Sequence, residues 1–299
     1  MEQLMGTGVA LVTPFKNDGS VDYRSLEQII EHCIAGGVDY LVALGTTAES
    51  VTLSKDEKQH LMHTIAKVNA GRLPLVVGMG GNNTQAVVND LAAFNLSDFC
   101  AILSVSPYYN KPTQEGIFQH FRAIAKASPV PVILYNVPAR TGSNMQPETT
   151  LRLAHDVENI AAIKEASGDM VQINTIIKQK PEDFLVISGD DFTALPTILA
   201  GGIGVISVLG QGLPNEFSKM VNLALQGRSD EAYAIHHALL SGMELIFEEG
   251  NPAGIKAVFE QLGLSTAKVR LPLVEATPHL KQKIKAFLRS AQRVTTIER

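Results

Sequence analysis

A lysine inside an apolar segment is the first residue of this sequence that could do covalent chemistry. Lys164 follows the apolar residues 160–163 in the stretch "AAIKEASGDM", which reads as a buried strand. A lysine in such a run ordinarily buries its aliphatic stem and keeps its ammonium group in water. Alternatively, burial favours the neutral amine, because desolvation penalises the charged form. A neutral amine is a nucleophile that can attack a carbonyl. The lysine by itself leaves both interpretations open.

Hydroxyl groups that suit the same chemistry follow two other apolar runs. Thr46 and Thr47 come after Gly45 in "GTTAES", and Tyr135 opens "YNVPARTG". Successive backbone N–H groups at a turn can hold a carboxylate, and a phenol beside a hydroxyl can relay protons. A plain strand-to-helix turn and a core tyrosine are the structural alternatives for these positions.

Three further positions have both a functional and a structural interpretation. Arg140 carries a planar guanidinium that suits a substrate carboxylate, and it could equally be a surface arginine. Tyr109 in "SPYYNKP" is either a site residue or a loop or interface aromatic. Asp190 and Asp191 could bind a metal, but we expect them to cap the following helix. The sequence has no HExxH pattern and no His/Asp cluster at strand ends, so no metal site is predicted.

The elements that must position these residues form a repeating pattern of an apolar run followed by a helical segment. The nearly continuous Val/Ile/Leu runs are typical of strands buried on both faces. Alternation of strand and helix favours parallel strands with right-handed crossovers, and eight units predict a closed (β/α)8 TIM barrel of the α/β class. The eight runs are residues 7–15, 38–45, 74–80, 99–107, 131–138, 160–167, 184–191 and 204–210.

The alternation stops near residue 227, and the rest of the chain reads as helices. We therefore predict a barrel domain at residues 1–227 and a C-terminal helical extension at 228–299. Because catalytic residues of such barrels lie at the carboxyl ends of the strands, the polar residues above should face one pocket. Ser54 and Glu57 have the spacing of a capping box, which predicts that a helix begins there.

Composition excludes several classes of protein. The chain of 299 residues is 45% hydrophobic and 18% charged, with a formal net charge of −5, which is typical of a globular protein. No basic stripe with interleaved aromatics is present, so a nucleic-acid partner is not expected. We expect no signal peptide in "MEQLMGTGVA" and no membrane span, because the apolar runs are short. These expectations favour a cytoplasmic protein.

Five motifs in the same order and spacing resemble the dihydrodipicolinate synthase / N-acetylneuraminate lyase family of Schiff-base class I aldolases. They are "GTTAES", "SPYYNKP", "YNVPARTG", "IKEASGD" and "GVISVLG". The resemblance covers essentially the whole chain, including "TPF" near the start and "NPAGIKAVFEQLG" and "VRLPL" in the helical tail. It implies that Lys164 condenses with the ketone of pyruvate and that the resulting iminium loses a methyl proton to give an enamine.

The resemblance also implies roles for the other candidates. Tyr135 would shuttle protons, and Thr46 would link it to Tyr109, which in the family reaches in from a neighbouring subunit. Thr47, with the backbone near Ile206, would hold the pyruvate carboxylate. Arg140 would position the carboxylate of the aldehyde partner. No cofactor is implied besides the covalent imine on the lysine, and a homotetramer built as a dimer of dimers is expected.

The paired threonines and Arg140 indicate the synthase branch of the family. That branch condenses pyruvate with L-aspartate 4-semialdehyde to give 4-hydroxy-tetrahydrodipicolinate, on the route to diaminopimelate and lysine. The first alternative is a pyruvate-releasing aldolase acting on a 2-keto-3-deoxy sugar acid or N-acetylneuraminate. A metal-assisted barrel hydrolase using Asp190 and Asp191, and a non-catalytic barrel acting as regulator or scaffold, are the remaining alternatives.

Two departures from the family pattern carry expectations of their own. Ala48 stands where the family commonly has glycine, and the turn should be preserved unless that position needs a positive φ angle. Lys55 and Lys58 replace frequent histidines, and Ala86 replaces a frequent glutamate, at the effector site of lysine-inhibited members. The two added cations should repel a lysine ligand, and the loss of a carboxylate should leave it with too few partners. We therefore predict weak or absent inhibition by lysine.

Overall fold

Eight parallel strands close into a barrel in the computed structural model, which describes residues 2–296 of the chain. Each strand pairs with the next, and β1 also pairs with β8. Each predicted apolar run contains one strand, so the predicted (β/α)8 barrel is confirmed. The strands are β1 (Gly6–Ala10), β2 (Tyr40–Ala43), β3 (Leu75–Gly78), β4 (Ala101–Val105), β5 (Val132–Asn136), β6 (Ile160–Glu165), β7 (Leu185–Ser188) and β8 (Gly204–Ser207).

Helices connect the strands on the outside of the barrel. Ser54 caps the second helix as predicted, since its side chain accepts from the backbone N–H of Glu57 while Glu57 accepts from that of Ser54. The barrel helices are α1 (Tyr23–Ala35), α2 (Lys55–Asn69), α3 (Thr84–Ala93), α4 (Gln114–Ala127), α5 (Pro138–Thr141), α6 (Pro147–Asp156), α7 (Met170–Gln179), α8 (Asp191–Leu199) and α9 (Pro214–Leu225).

Three helices follow the barrel, as the sequence predicted for the C-terminal extension. They are α10 (Ser229–Glu248), α11 (Ala253–Leu262) and α12 (Pro278–Thr296). Helix α10 packs against α8 and α9 of the barrel, and α12 packs on α10 and α11. The division into domains 1–227 and 228–299 stays a prediction. Among residues 2–296 no helix is both long and apolar enough to cross a membrane.

The strand alternation decides which side chains enter the barrel. Ile133 and Tyr135 of β5 and Ala162 of β6 belong to the apolar cluster inside the barrel. Ile163 belongs instead to the larger cluster between the barrel and its helices. Because successive side chains of a strand point to opposite faces, Lys164 shares the inward face of Ala162.

Candidate active site

Lys164 and Tyr135 face each other inside the barrel. They occupy paired positions on β6 and β5, and the Nζ atom of Lys164 lies 4.3 Å from the ring centroid of Tyr135. Both side chains are buried, with exposed fractions of 5% and 7%. Among the described residues no carboxylate lies within ion-pair distance of Lys164. The structure therefore places an amine beside a phenol in an apolar enclosure, as the sequence predicted.

The absence of a side chain immediately after β7 makes room for the lysine. A Cβ atom built at Gly189 would lie 3.0 Å from both Cγ and Cε of Lys164 and 2.6 Å from Cβ of Ala166. Any larger residue at position 189 would press on the stem of the lysine. Burial raises the pKa of the next residue, Asp190. The nearby charge of Lys164 partly opposes this rise.

The "GTTAES" turn after β2 is a short helical turn at Thr46–Ala48, flanked by unusual backbone angles. Leu44 and Glu49 both have a φ of +53°, in the left-handed region. Ala48 has no positive φ, so alanine replaces the family's glycine without strain there. The hydroxyl of Thr13 donates to the carbonyl of Ala48 at 2.7 Å and fixes the turn against the chain that follows β1.

Asn251 joins two of the predicted substrate-binding residues, and sequence reasoning assigned it no role. Its Nδ2 atom donates to Oγ1 of buried Thr47 at 2.9 Å. Its carbonyl accepts a hydrogen bond from the guanidinium of Arg140 at 3.3 Å. The only sequence signal was its place in the tail motif "NPAGIKAVFEQLG". The loop before α11 therefore orients both side chains.

A cavity of about 290 Å³ opens at the carboxyl ends of β2–β5. Three of the predicted site residues line it: Thr46, Tyr135 and Arg140. Lys164 and Thr47 are not among the lining residues, although the Nζ atom of Lys164 lies 4.3 Å from the ring centroid of Tyr135. Ile206 is fully buried in the barrel interior. The cavity is large enough for two small acids and is entered past an arginine.

Tyr109 does not line the cavity and, unlike Lys164, Thr47 and Ile206, it is not buried in the protein. Its side chain is 88% exposed, and its φ angle of +71° lies in the left-handed region. The preceding residue, Tyr108, does line the cavity, and its carbonyl accepts from the side chain of Asn82. A non-glycine residue in that conformation is strained, and such strain is typical of functional loops. Tyr109 is free to contact a second molecule.

Asp190 caps α8 as predicted, but the expectation that Asp191 also caps this helix is wrong, because its carboxylate binds the backbone that follows β8 instead. Asp190 caps α8 by accepting from the backbone N–H of Phe192 at 2.9 Å. The carboxylate of Asp191 accepts from the backbone of Leu209 at 2.8 Å and from that of Val208. Burial raises the pKa of Asp191 to about 6. No group of three or more possible metal ligands occurs among residues 2–296.

Glu165 lies on the opposite face of β6 from Lys164 and anchors the strand. Its carboxylate accepts from Asn136 on β5, from Gln172 on α7 at 2.9 Å, and from the backbone N–H of Ser167 at 2.8 Å. Burial raises its pKa, although these hydrogen bonds act in the opposite direction. The network holds β6 in register and so holds the lysine that precedes it.

Comparison with known proteins identifies the family of this chain. A profile of the Dihydrodipicolinate synthetase family matches residues 3–291, and the chain belongs to that family. It is 60% identical over 287 residues, 96% of this chain and 98% of the relative, to the 4-hydroxy-tetrahydrodipicolinate synthase of Flavobacterium psychrophilum.

Solved structures agree as well. The dihydrodipicolinate synthase of Acinetobacter baumannii in complex with pyruvate superposes with a TM-score of 0.93 at 37% identity, covering 97% of this chain and 99% of that one. A dihydrodipicolinate synthase variant described as monomeric superposes with a TM-score of 0.94 at 35% identity, covering 97% of each chain.

Proposed function

We propose that the protein is a pyruvate-dependent lyase of the Schiff-base class that condenses pyruvate with L-aspartate 4-semialdehyde to give 4-hydroxy-tetrahydrodipicolinate. The observation that carries the proposal is the buried amine of Lys164, 4.3 Å from the ring of Tyr135 at the mouth of a closed barrel. Family membership and the identity with a synthase of that name support the same reaction. This reaction belongs to diaminopimelate and lysine biosynthesis.

The covalent step begins at the neutral amine of Lys164. The amine attacks the ketone carbon of pyruvate, and loss of water leaves an iminium. Loss of a methyl proton converts the iminium to an enamine, whose carbon then attacks the aldehyde of the second substrate and regenerates the iminium. The amino group of that substrate attacks the iminium carbon, closes the ring and displaces the amine of Lys164. Tyr135 is the group placed to carry protons to and from these centres, with Thr46 beside it on the cavity wall. The chemistry needs no cofactor, because the lysine itself supplies the electron sink.

We propose two separate carboxylate sites. Thr47, held by Asn251, and the backbone near Ile206 are proposed to bind the carboxylate of pyruvate. Arg140, at the exposed side of the cavity, is proposed to bind the carboxylate of the aldehyde. A sugar-acid substrate remains the alternative for this same site, and it would require polar partners for several hydroxyl groups.

Borohydride trapping tests nucleophile, substrate and class of reaction together. Incubation with pyruvate and borohydride, followed by peptide mass spectrometry, should show the reduced adduct on Lys164. The variant Lys164→Arg should fold and form no adduct, because a guanidinium stays protonated. Lys178→Arg, at an exposed position on α7, is the matched control and should retain the adduct. An adduct that persists in Lys164→Arg would reject the assignment, and release of pyruvate from a sugar acid would favour the alternative.

We further propose a homotetramer, a dimer of dimers, in which Tyr109 serves the site of a neighbouring copy. Its exposure and strained backbone support this assignment. Mixing Lys164→Arg with Tyr109→Phe should restore activity that each variant lacks alone. In a mixed pair, the site of the Tyr109→Phe subunit contains its own Lys164 and receives the intact Tyr109 of the other subunit. Light scattering gives the size of the assembly. Mixtures that stay inactive would contradict the exchange.

The prediction of weak or absent lysine inhibition rests on three positions near the cavity. Lys58 lines the cavity, and the Nζ atom of Lys55 lies 5.7 Å from the ring centroid of Phe94. Substituting Lys55→His, Lys58→His and Ala86→Glu together should introduce or strengthen inhibition by lysine. Half-maximal inhibition of the unmodified protein at sub-millimolar lysine would refute the prediction. A cytoplasmic location also stays a prediction, which cell fractionation would test.

A further inference from the structure

Three residues from separate sequence motifs, none of them used in the proposed reaction, meet in one buried cluster. Phe15 ends "TPF", Lys256 lies in "NPAGIKAVFEQLG", and Arg270 lies in "VRLPL". Lys256 and Arg270 both contact Glu49, the residue that follows the turn Thr46–Ala48. The ring of Phe15 lies against the Nζ atom of Lys256. The cluster thus connects the start of the chain, the catalytic turn and the C-terminal extension.

The ammonium group of Lys256 is completely enclosed. The side chains of Lys256 and Glu49 have exposed fractions of 0% and 1%, and their Nζ and Oε1 atoms are 2.5 Å apart. The same Nζ donates to the carbonyl of Lys268 at 2.8 Å and lies 4.1 Å from the ring centroid of Phe15. Burial lowers the pKa of Lys256 to about 8, although Glu49 opposes this. A buried pair of charges is retained against a large desolvation cost, so it should have a specific role.

Arg270 completes the attachment of the turn to the extension. Its backbone N–H donates to the second carboxylate oxygen of Glu49 at 2.9 Å. Its guanidinium donates to the carbonyl of Thr52 at 2.8 Å and to that of Gly19, and pairs with Glu57 at the start of α2. Residues 49–57 are therefore held from outside the barrel by one arginine and one lysine.

The backbone of Glu49 shows why the turn needs such an attachment. Its φ of +53° and ψ of +36° are unfavourable for a residue with a side chain. In that conformation its N–H donates to the carbonyl of Thr46 at 3.1 Å and closes the turn. Because the carboxylate of Glu49 is fixed at both oxygens, its backbone cannot relax without breaking the buried pair.

We propose that the Glu49–Lys256 pair, together with Arg270, is a positioning device through which the C-terminal extension holds Thr46 and Thr47 in the geometry that binds pyruvate. This deepens the proposed function and rests on it for the identity of the substrate. The side chains of Glu49 and Lys256 are enclosed and hydrogen-bonded within the protein, so they act through the turn and not on the substrate.

The double variant Glu49→Gln/Lys256→Met removes both charges and preserves side-chain size. The single variant Lys256→Met would leave a buried unpaired carboxylate and can fail to fold, so the double variant is the informative one. We expect it to fold and to raise the KM for pyruvate about tenfold, with a smaller fall in kcat. Half-maximal borohydride trapping should need a correspondingly higher pyruvate concentration.

The matched control is Glu260→Gln/Lys281→Met, which removes a pair between α11 and α12 that does not contact the turn. It should keep the KM of the unmodified protein. Hydrogen exchange provides a readout without substrate: residues 45–52 should lose protection in the Glu49/Lys256 variant and keep it in the control.

An unchanged KM with unchanged protection of residues 45–52 would overturn the positioning role, and so would equal losses in both double variants. If instead the proposed function were wrong, the unmodified protein itself would form no pyruvate adduct, and this result would distinguish the two failures. The hydrogen-exchange comparison would still decide whether the pair positions the turn.

Discussion

Lys164 has room inside the barrel because position 189 carries no side chain. Glycine is required there by close approach, since a Cβ atom would come within 3.0 Å of the lysine stem. The Cβ atom of Ala166 would lie closer still, at 2.6 Å, so an added methyl group must displace the lysine or the backbone around position 189.

We therefore expect Gly189→Ala to reduce the catalytic rate strongly and the free energy of unfolding only moderately. Displacement of a reacting group by about 1 Å can cost roughly a hundredfold in rate. The free energy of unfolding should fall by about 1–3 kcal/mol. Steady-state kinetics, the rate of borohydride trapping and urea unfolding measure the three quantities. Trapping at the unmodified rate would show that the stem of Lys164 does not need this space.

Helix α2 joins the catalytic turn to the extension through its first turn. Glu57 closes the capping box with Ser54, and its carboxylate also forms two hydrogen bonds with the guanidinium of Arg270. The hydrogen bonds from Arg270 are the main reason that the pKa of Glu57 is lowered to about 2 from 4.5. One side chain thus stabilises a helix end and a contact between distant segments.

This pKa predicts a pH dependence with a definite sign. Because the folded-state pKa lies below that of the unfolded chain, the stabilisation is complete above about pH 4.5 and is lost as the pH falls toward 2. Glu57→Gln should lower the free energy of unfolding by about 1–2 kcal/mol at neutral pH. The difference from the unmodified protein should shrink at acidic pH, as urea unfolding at several pH values would show.

Glu231→Gln is the control for this pH dependence. Glu231 pairs with Arg228 on an exposed surface, where an ion pair contributes little to stability. A Glu57→Gln difference that stays constant down to acidic pH, or one matched by Glu231→Gln, would contradict the assignment to the Arg270 contact.

The barrel and the extension share buried contacts across the predicted domain boundary. Lys256 on α11 is fully enclosed by groups that include Glu49 and Phe15 of the barrel, and Asn251 reaches Thr47. Separation of the two parts would expose a buried ion pair and leave polar groups without partners. The extension should therefore unfold with the barrel.

Hydrogen exchange at increasing urea concentration tests this cooperativity. Peptides that cover α11 and peptides that cover β2 should lose protection at the same urea concentration, because neither part has a complete set of contacts alone. Loss of protection in α11 while β2 remains protected would instead support an independently folding extension.

The sequence by itself determined the elements of this protein and most of its candidate site. Apolar runs and helical periodicity are local signals, and they located all eight strands and the helices of the extension. The apolar run marked Lys164 as a candidate nucleophile without fixing its orientation, and the motifs after β2 and β5 marked Thr46, Tyr135 and Arg140 as residues of one cavity.

Only the tertiary structure decided which distant residues support that site. Glu49 and Lys256 are 207 residues apart, and Asn251 and Thr47 are 204 apart, so no local pattern connects them. Contacts of this kind depend on how the closed barrel and the extension pack, and on which polar groups that packing removes from water. For the same reason the need for glycine at position 189 became visible only when β6 and β7 were seen side by side.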